Sequence, residues 1–202
     1  FTTNTSIMQI QFKLAAFGAA LLFAANACVT VSCGKDENEQ PKQRVVAKLK
    51  TEALAGTYVV SQRFSIKMFG KEAVLGELKK HNLKMVPATD STVDITTDAY
   101  DINLVEGAPY SSAAQKSYTL KGVKVVKTGE KDFVLSGKAK ADAEIQLVPL
   151  KQKKEEMPYR VFPATEYNVA GTVKDGVLEL EYSLQPGKMP FPLTYVFNGK
   201  RA

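Results

Sequence analysis

Residues 174–184 read KDGVLELEYSL, and this stretch decides the fold class. Every second position in it is apolar, namely Leu178, Leu180, Tyr182 and Leu184. Such a period of two places apolar side chains on one face of a β-strand and polar side chains on the other. The Asp175-Gly176 dipeptide, which precedes the alternating residues, favours a two-residue hairpin turn. The stretch therefore predicts one half of an antiparallel hairpin.

The same alternation recurs at 58–68, 143–147 and 193–197. Within 117–127 the alternation changes phase at Gly122, which predicts a β-bulge at that glycine. Turn signals separate the apolar segments at intervals of about 8–12 residues, as in a sandwich or barrel. The pattern predicts an all-β, antiparallel domain of about 8–10 strands.

The N-terminal part of the sequence has a different character. Residues 14–31 carry no charge, and Lys13 is the only charged residue before them. A weakly basic start, an apolar run and small residues at its end are typical of a helical secretory signal peptide, which we place at 1–32. A start at Met8 would make 1–7 an upstream artefact. By length the run could also span a membrane, but it lacks flanking aromatic and basic anchors.

The apolar run ends at Thr30-Val31-Ser32-Cys33, which resembles the bacterial lipobox. The resemblance implies that Cys33 is acylated and becomes the mature N-terminus, with the membrane as a partner through that lipid. Thr30 departs from the usual leucine of the motif. Cys28 is a second candidate, but apolar residues rather than a polar linker follow it. The alternatives are cleavage without lipidation and an uncleaved anchor.

A polar segment, 33–44, follows the cysteine. Its Lys35, Asp36 and Glu37 resemble the surface-export signal of Bacteroidetes lipoproteins. That resemblance implies an outer-membrane, lipid-anchored protein exposed on the cell surface. The alternative is a solvated linker, because 36–43 has the composition of a disordered segment.

We assign 45–202 to the β-domain. Apolar residues at helical spacing in 45–55 (Val46, Leu49 and Leu54) predict a short N-terminal helix that ends at Gly56. The middle of the domain, 70–115, resembles nothing that would indicate a role.

Composition argues against several functional classes. The net charge of +6 is spread along the chain, whereas nucleic-acid binding favours clustered basic residues with interleaved aromatics. His81, the one histidine, lies in the polar run Lys79-Lys80-His81-Asn82, where we expect an exposed side chain. No G-x-S-x-G motif accompanies it. The sequence therefore predicts a protein that is not an enzyme and has no cofactor.

Two sets of acidic residues are candidates for a metal site and for a catalytic carboxylate pair. Asp94, Asp98 and Asp101 could gather around Ca²⁺, but their spacing is not that of an EF-hand loop. Glu155 and Glu156 are adjacent, so on a strand they would face opposite ways and could not act as a carboxylate pair. We predict no metal site.

Both ends of the β-domain resemble one family. The C-terminal run 171–201 contains Met189-Pro190-Phe191-Pro192 and Asn198-Gly199-Lys200, and the domain opens on Leu54-Ala55-Gly56-Thr57-Tyr58. These motifs are similar to those of calycin-like, lipocalin-like β-barrel lipoproteins of Bacteroidetes. The resemblance implies an antiparallel calycin-like barrel, and it supports fold more than function.

Inward-facing aromatic residues are the candidate ligand-binding positions: Tyr58, Phe64, Tyr167, Tyr182 and Tyr195. In a small barrel such residues fill the interior, whereas a lipocalin-type cup leaves room at one mouth for a ligand. The first hypothesis is a non-catalytic lipoprotein that binds a small apolar or glycan ligand, or a protein. The second is a structural or enzyme-inhibitory module with a filled core. Nothing in the sequence predicts the oligomeric state.

Overall fold

Ten β-strands and two short 3-10 helices make up most of the described residues, which are 49–68 and 71–202 in a computed structural model of the chain. The strands are β1 (Gly56–Met68), β2 (Lys71–Thr89), β3 (Thr92–Thr97), β4 (Tyr100–Asn103), β5 (Tyr110–Gln115), β6 (Tyr118–Lys127), β7 (Asp132–Pro149), β8 (Arg160–Lys174), β9 (Val177–Leu184) and β10 (Leu193–Arg201). The 3-10 helices are Lys50–Leu54 and Lys154–Glu156. The predicted signal peptide, Cys33 and the Lys35-Asp36-Glu37 signal lie outside the described residues.

The ten strands occupy eight positions around a closed wall. β3 and β4 follow each other along one wall position, and β5 and β6 follow each other along the next. The two positions are neighbours, because β3 pairs with β6 and β4 pairs with β5. β7 is long enough to pair with both β6 and β5. Every other neighbour in the wall is the next strand in sequence, and β10 closes the circle by pairing with β1. The predicted all-β, antiparallel class is confirmed as an eight-stranded, up-and-down barrel.

Two local predictions are confirmed by the backbone. Asp175 and Gly176 form the two-residue turn between β8 and β9, with φ of 44° and 80°, as a type I′ hairpin requires. At Gly122, β6 has one residue more than the facing β3. The glycine has a φ of 68°, and its N–H donates to the Asp94 carboxylate at 2.9 Å. This is the predicted β-bulge.

Alternation separates an apolar interior from a charged exterior. Aromatic and aliphatic side chains of all the wall positions are buried inside. The outward face of β9 carries Glu179 and Glu181, and that of β7 carries Lys138 and Lys140. Transmembrane barrels have the opposite arrangement, and a lipid-facing lysine at the bilayer midplane costs about 2–4 kcal/mol. The outer faces of β7 and β9 therefore differ from the apolar band of a transmembrane barrel.

One end of the barrel, here called the capped end, is closed by short turns and by the first 3-10 helix. Leu54 of that helix is fully buried, and its carbonyl accepts a hydrogen bond from the Tyr58 hydroxyl at 3.2 Å. Thr51 donates to the Thr89 carbonyl at 2.6 Å. The predicted helix over 45–55 is thus a 3-10 helix over Lys50–Leu54, with Ala55 already extended. Residues 45–48 lie outside the described residues.

The opposite end, here called the loop end, carries the longer connections. These are the segments 104–109, 150–159 and 185–192. The described part of the chain contains no helix with the length and hydrophobicity that a membrane-spanning segment requires.

Candidate functional site

The loop end holds a cavity of about 630 Å³. Ligand pockets for small molecules measure about 300–1,000 Å³. The lining comes from the start of β5, the end of β7, the start of β8, the start of β10 and the two long loops between them. Its apolar side chains include Ile145, Leu147, Met157, Phe162, Met189 and Leu193. The cavity therefore lies in the mouth of the barrel. Nine of the thirteen described residues that line it are apolar, and polar and apolar atoms contribute comparable shares of its surface.

A β-bulge in β8 turns two lining residues inward. Ala143 pairs with Phe162 and Ile145 pairs with Arg160, one residue out of step with the rest of the β7–β8 ladder. Ala143 and Ile145 are buried in the barrel. Directly opposed residues on neighbouring strands project to the same face of a sheet. Arg160 and Phe162 therefore project to the inner side of the mouth.

Side-chain amides hold the two loops that flank the cavity. The Gln146 Nε2 atom donates to the Met157 carbonyl at 2.5 Å and to the Lys154 carbonyl at 3.2 Å. The Gln185 Nε2 atom donates to the Met189 carbonyl at 2.5 Å. Both methionines are lining residues, and methionine adapts its shape to irregular partners. Hydrogen bonds thus hold the backbone of both loops, while the methionine side chains that line the cavity stay flexible.

A layer of tyrosine and glutamine lies next to the cavity, towards the middle of the barrel. Gln115 pairs with the lining residue Ile145 across the β5–β7 ladder. Its Oε1 atom accepts hydrogen bonds from the hydroxyls of Tyr100 and Tyr195, each at 3.1 Å. Its Nε2 atom donates to the Tyr167 hydroxyl at 3.3 Å. One buried glutamine therefore joins three buried tyrosines from separate strands.

Three further buried hydroxyls in this layer, those of Thr97, Tyr118 and Tyr182, lie near one another without a hydrogen bond of good geometry within the described residues. Burial raises the pKa of Tyr118 and Tyr182, an effect that the nearby Thr97 hydroxyl opposes. Burial likewise raises the pKa of Tyr167, to about 12. The tyrosines of this layer are held in the neutral form, so they act as packing and hydrogen-bonding groups.

The five aromatic residues predicted to bind a ligand lie in the filled part of the barrel. Their side chains are at most 3% exposed: Tyr58, Phe64, Tyr167, Tyr182 and Tyr195. The rings of Phe64, Tyr167, Tyr182 and Tyr195 pack against each other or against other rings, with the Phe64 and Tyr195 centroids 5.0 Å apart. Their inward orientation is confirmed. The cavity lining contains none of them, and their assignment as ligand-binding residues stays a prediction.

The cavity residues were missed because no local pattern marks them. The lining is assembled from Tyr110, from 145–162 and from 186–193, which are far apart in sequence. The Met189-Pro190-Phe191-Pro192 motif was the one signal available, since Met189 forms part of the lining.

His81 is buried, and the expectation of an exposed histidine was wrong. Its side chain is 7% exposed, and its ring meets the Tyr100 ring edge-on at 6.1 Å. His81 is opposite Val60 in the β1–β2 ladder and shares the inward phase of Leu83. Burial lowers the pKa of His81, and the Asp98 carboxylate opposes that change.

Two of the three residues of the candidate Ca²⁺ site, Asp94 and Asp101, have separate partners. Asp94 accepts the Gly122 N–H, and Asp101 forms an ion pair with Lys154. Within 49–68 and 71–202, no group of three or more His, Cys, Asp or Glu side chains could hold a metal ion. Glu155 and Glu156 lie in the exposed second 3-10 helix.

Two solved structures are similar to this chain. One is a provisionally named outer membrane protein of Bacteroides fragilis, with 18% sequence identity, a TM-score of 0.53 and coverage of 75% of this chain and 52% of that one. The other is Ail, the attachment invasion locus protein of Yersinia pestis, with 10% identity, a TM-score of 0.42 and coverage of 73% and 97%.

The first likeness shows a shared barrel fold. The present chain spans about half the length of the Bacteroides fragilis protein. No protein-family model matches the chain, and no curated protein matches its sequence.

Proposed function

We propose that this chain is a non-catalytic outer-membrane lipoprotein whose calycin-like barrel takes a small apolar ligand into the cavity at its loop end. The observation that carries the proposal is the contrast between the two ends. The capped end is closed by Leu54 and filled by side chains, whereas the loop end keeps a cavity of about 630 Å³. An eight-stranded barrel can hold one small ligand in this way.

An apolar ligand fits the lining better than a glycan does. A glycan needs several hydrogen-bonding side chains, because its hydroxyls would otherwise be desolvated without compensation. Among the described residues, the lining has four polar side chains, those of Tyr110, Gln152, Arg160 and Lys188, and the rest are aliphatic, aromatic, proline or methionine. Burial of apolar surface is therefore the main source of affinity in the proposal.

A non-catalytic role is supported by the chemistry of the lining. Covalent and acid–base catalysis use a nucleophile or a proton-transferring group, most often Ser, Cys, His, Asp, Glu, Lys or Tyr, within hydrogen-bond reach of the substrate. Of these types, the cavity-lining residues among those described include Tyr110 and Lys188 but no Ser, Cys, His, Asp or Glu. A binding role needs none of these.

The proposed location rests on the sequence and on the polarity of the wall. A barrel with lysine and glutamate on its outer face is not held by a lipid-facing surface. Acyl chains on Cys33 would provide the anchor, since more than one chain gives stable membrane attachment. Lys35, Asp36 and Glu37 would direct the protein to the cell surface.

The binding role is tested with phenylnaphthylamine, a neutral fluorescent probe. We expect wild-type protein to bind it, and Leu147→Trp, which adds bulk to the lining, to weaken binding. Val126→Trp is the matched control, because Val126 is 57% exposed on the outer wall. Equal binding by both variants, or no binding by wild type, would contradict the proposal.

The anchor is tested separately by mass spectrometry of protein purified from its own host. An acylated N-terminus at Cys33 is the expected result. An unmodified cysteine or an intact leader would overturn the lipoprotein assignment and leave the cavity argument unaffected.

A second candidate function is a structural or enzyme-inhibitory module. Its support is the packing of most of the barrel, where Tyr58, Tyr167, Tyr182 and Phe197 are fully buried. In that case the loops would make the contacts, and neither tryptophan variant would alter the binding of small molecules.

A further inference from the structure

We infer that the ligand is an amphiphile with an anionic head group, bound by Arg160 and Lys188 at the rim of the cavity. The inference rests on the proposed binding role of this cavity, and it adds the chemical class of the ligand.

Arg160 belongs to the inner side of the mouth. It is the first residue of β8 and pairs with Ile145, whose side chain is buried in the barrel. Phe162, two residues later, projects to the same face of the strand. The Arg160 side chain is exposed, so its guanidinium can remain hydrated while its stem lines the apolar pocket.

Lys188 reaches the cavity from the opposite loop. It lies between Gly187 and Met189 in the segment that joins β9 to β10. A Cβ on Gly187 would lie 3.1 Å from the Phe162 ring, so this loop packs directly on the β8 side of the pocket. The two cations therefore approach one apolar cavity from two different elements.

Neither cation is neutralised by the described protein. Within 49–68 and 71–202, Arg160 and Lys188 take part in none of the ion pairs. Two nearby acidic residues have other partners: Glu144 of β7 pairs with Lys116 at 2.5 Å and Glu166 of β8 with Lys138 at 2.7 Å. Glu155 and Glu156 lie in the second 3-10 helix, and neither they nor any other described acidic residue lines the cavity. A cleft lined by one sign of charge with apolar walls concentrates ligands of the opposite sign.

The apolar part of the ligand has a continuous surface to occupy. Ile145 and Leu147 project from β7, Phe162 from β8 and Leu193 from β10, and all four line the cavity. Arginine suits carboxylate and phosphate oxygens because its planar guanidinium donates in a fork. The geometry thus favours a head group at the rim and an alkyl or similar body below it.

The experiment compares three probes with the same alkyl chain below their micelle concentrations: dodecanoate, dodecanol and dodecyltrimethylammonium. Equilibrium dialysis against wild-type protein gives each dissociation constant. We expect dodecanoate to bind about tenfold more tightly than dodecanol, as one charge-assisted hydrogen bond would give. The cationic probe should bind most weakly, and added salt should reduce the preference for dodecanoate.

The double variant Arg160→Gln/Lys188→Gln should lose the preference for dodecanoate and still bind dodecanol. Lys174→Gln/Lys200→Gln is the control, because it removes the same charge at the capped end. Equal binding of dodecanoate and dodecanol by wild type would overturn the head-group inference and leave the proposed function in place. Failure of all three probes to bind would contradict both. Both variants replace exposed side chains, and thermal unfolding checks that they fold.

Discussion

The Asp142 carboxylate accepts a hydrogen bond at 2.8 Å from the backbone N–H of Ala164, a residue held at a φ of 49°. This contact fixes the bulge that adds one residue to β8 opposite β7. Without the extra residue, the alternation of β8 would reverse beyond the bulge, and Val161 would take the inward phase of Arg160 and Phe162. The bulge at which this hydrogen bond forms thus sets which side chains of β8 line the cavity.

Replacing Ala164 with glycine should stabilise the protein. An L-residue in the left-handed region carries a cost of about 1–2 kcal/mol that glycine avoids, partly offset by the greater entropy of glycine in the unfolded chain. We expect Ala164→Gly to raise the free energy of unfolding by up to about 1 kcal/mol. Urea denaturation measures the change. A loss of stability would show that the bulge backbone is not strained.

Two tyrosine-to-phenylalanine variants should differ in stability. The Tyr195 hydroxyl bonds with Gln115 and Tyr100, so Tyr195→Phe should cost about 1–2 kcal/mol. The Tyr182 hydroxyl is buried near the Thr97 hydroxyl but makes no hydrogen bond of good geometry within the described residues. Tyr182→Phe should therefore be neutral or stabilising. Denaturation midpoints of the two variants compare them directly, and equal losses would contradict this account.

His81 should make stability decrease on acidification. Burial holds its pKa below the value of about 6.5 found in unfolded chains, in spite of the nearby Asp98 carboxylate. The unfolded chain therefore binds a proton first, and stability falls as the pH drops through that value. Since the chain has one histidine, His81→Phe is a clean reference. The stability difference between wild type and variant should change between about pH 7 and pH 5.

Alkaline pH should unfold the protein cooperatively. Burial raises the pKa of six tyrosines: Tyr58, Tyr100, Tyr118, Tyr167, Tyr182 and Tyr195. Unfolded tyrosine loses its proton near pH 10, about the model value, so stability declines as the pH rises above that value. Ultraviolet absorbance of tyrosinate and circular dichroism should change together. Ionisation of these six without loss of the β-spectrum would contradict their burial.

Gly199→Ala should be strongly destabilising. A Cβ at Gly199 would clash with the Val59 carbonyl and lie 2.6 Å from the Val60 Cα atom, both on the neighbouring β1. Overpacking of this kind costs about 1–3 kcal/mol, and here the obstruction is backbone. Gly122→Ala is the comparison, because it meets no atom within 4 Å and should cost only the strain of its positive φ. Denaturation of both variants tests the order.

The strands were predictable because their pattern is local. Alternation shows which side chains face the core, as at 178–184 and 193–197. The Asp175-Gly176 dipeptide shows where one strand ends and the next begins. Gly122 could be identified as a bulge because the phase of neighbouring side chains reverses there. The polar neighbours Lys79 and Lys80 led to the wrong prediction that the His81 side chain is exposed. The alternation along β2 indicates burial, because His81 has the same phase as the buried Leu83.

The cavity was not predictable by the same means. Its lining depends on the lengths of two loops and on a bulge at Ala164, where no glycine marks the left-handed backbone. Arg160 and Lys188 lie in separate segments and have no shared motif. The two residues come close to one pocket only because the barrel closes, and the periodicity of the sequence does not show which loops then meet.

The wall is closed by a seam between β1 and β10, where the Ala202 N–H donates to the Thr57 carbonyl at 2.9 Å. Synthesis proceeds from the amino end, so β1 must wait for its last partner until residues 193–201 have been made. Hydrogen bonding along the ribosome-bound chain can therefore build an open sheet from β1 to β9, but the wall closes into a barrel only when β10 joins β1.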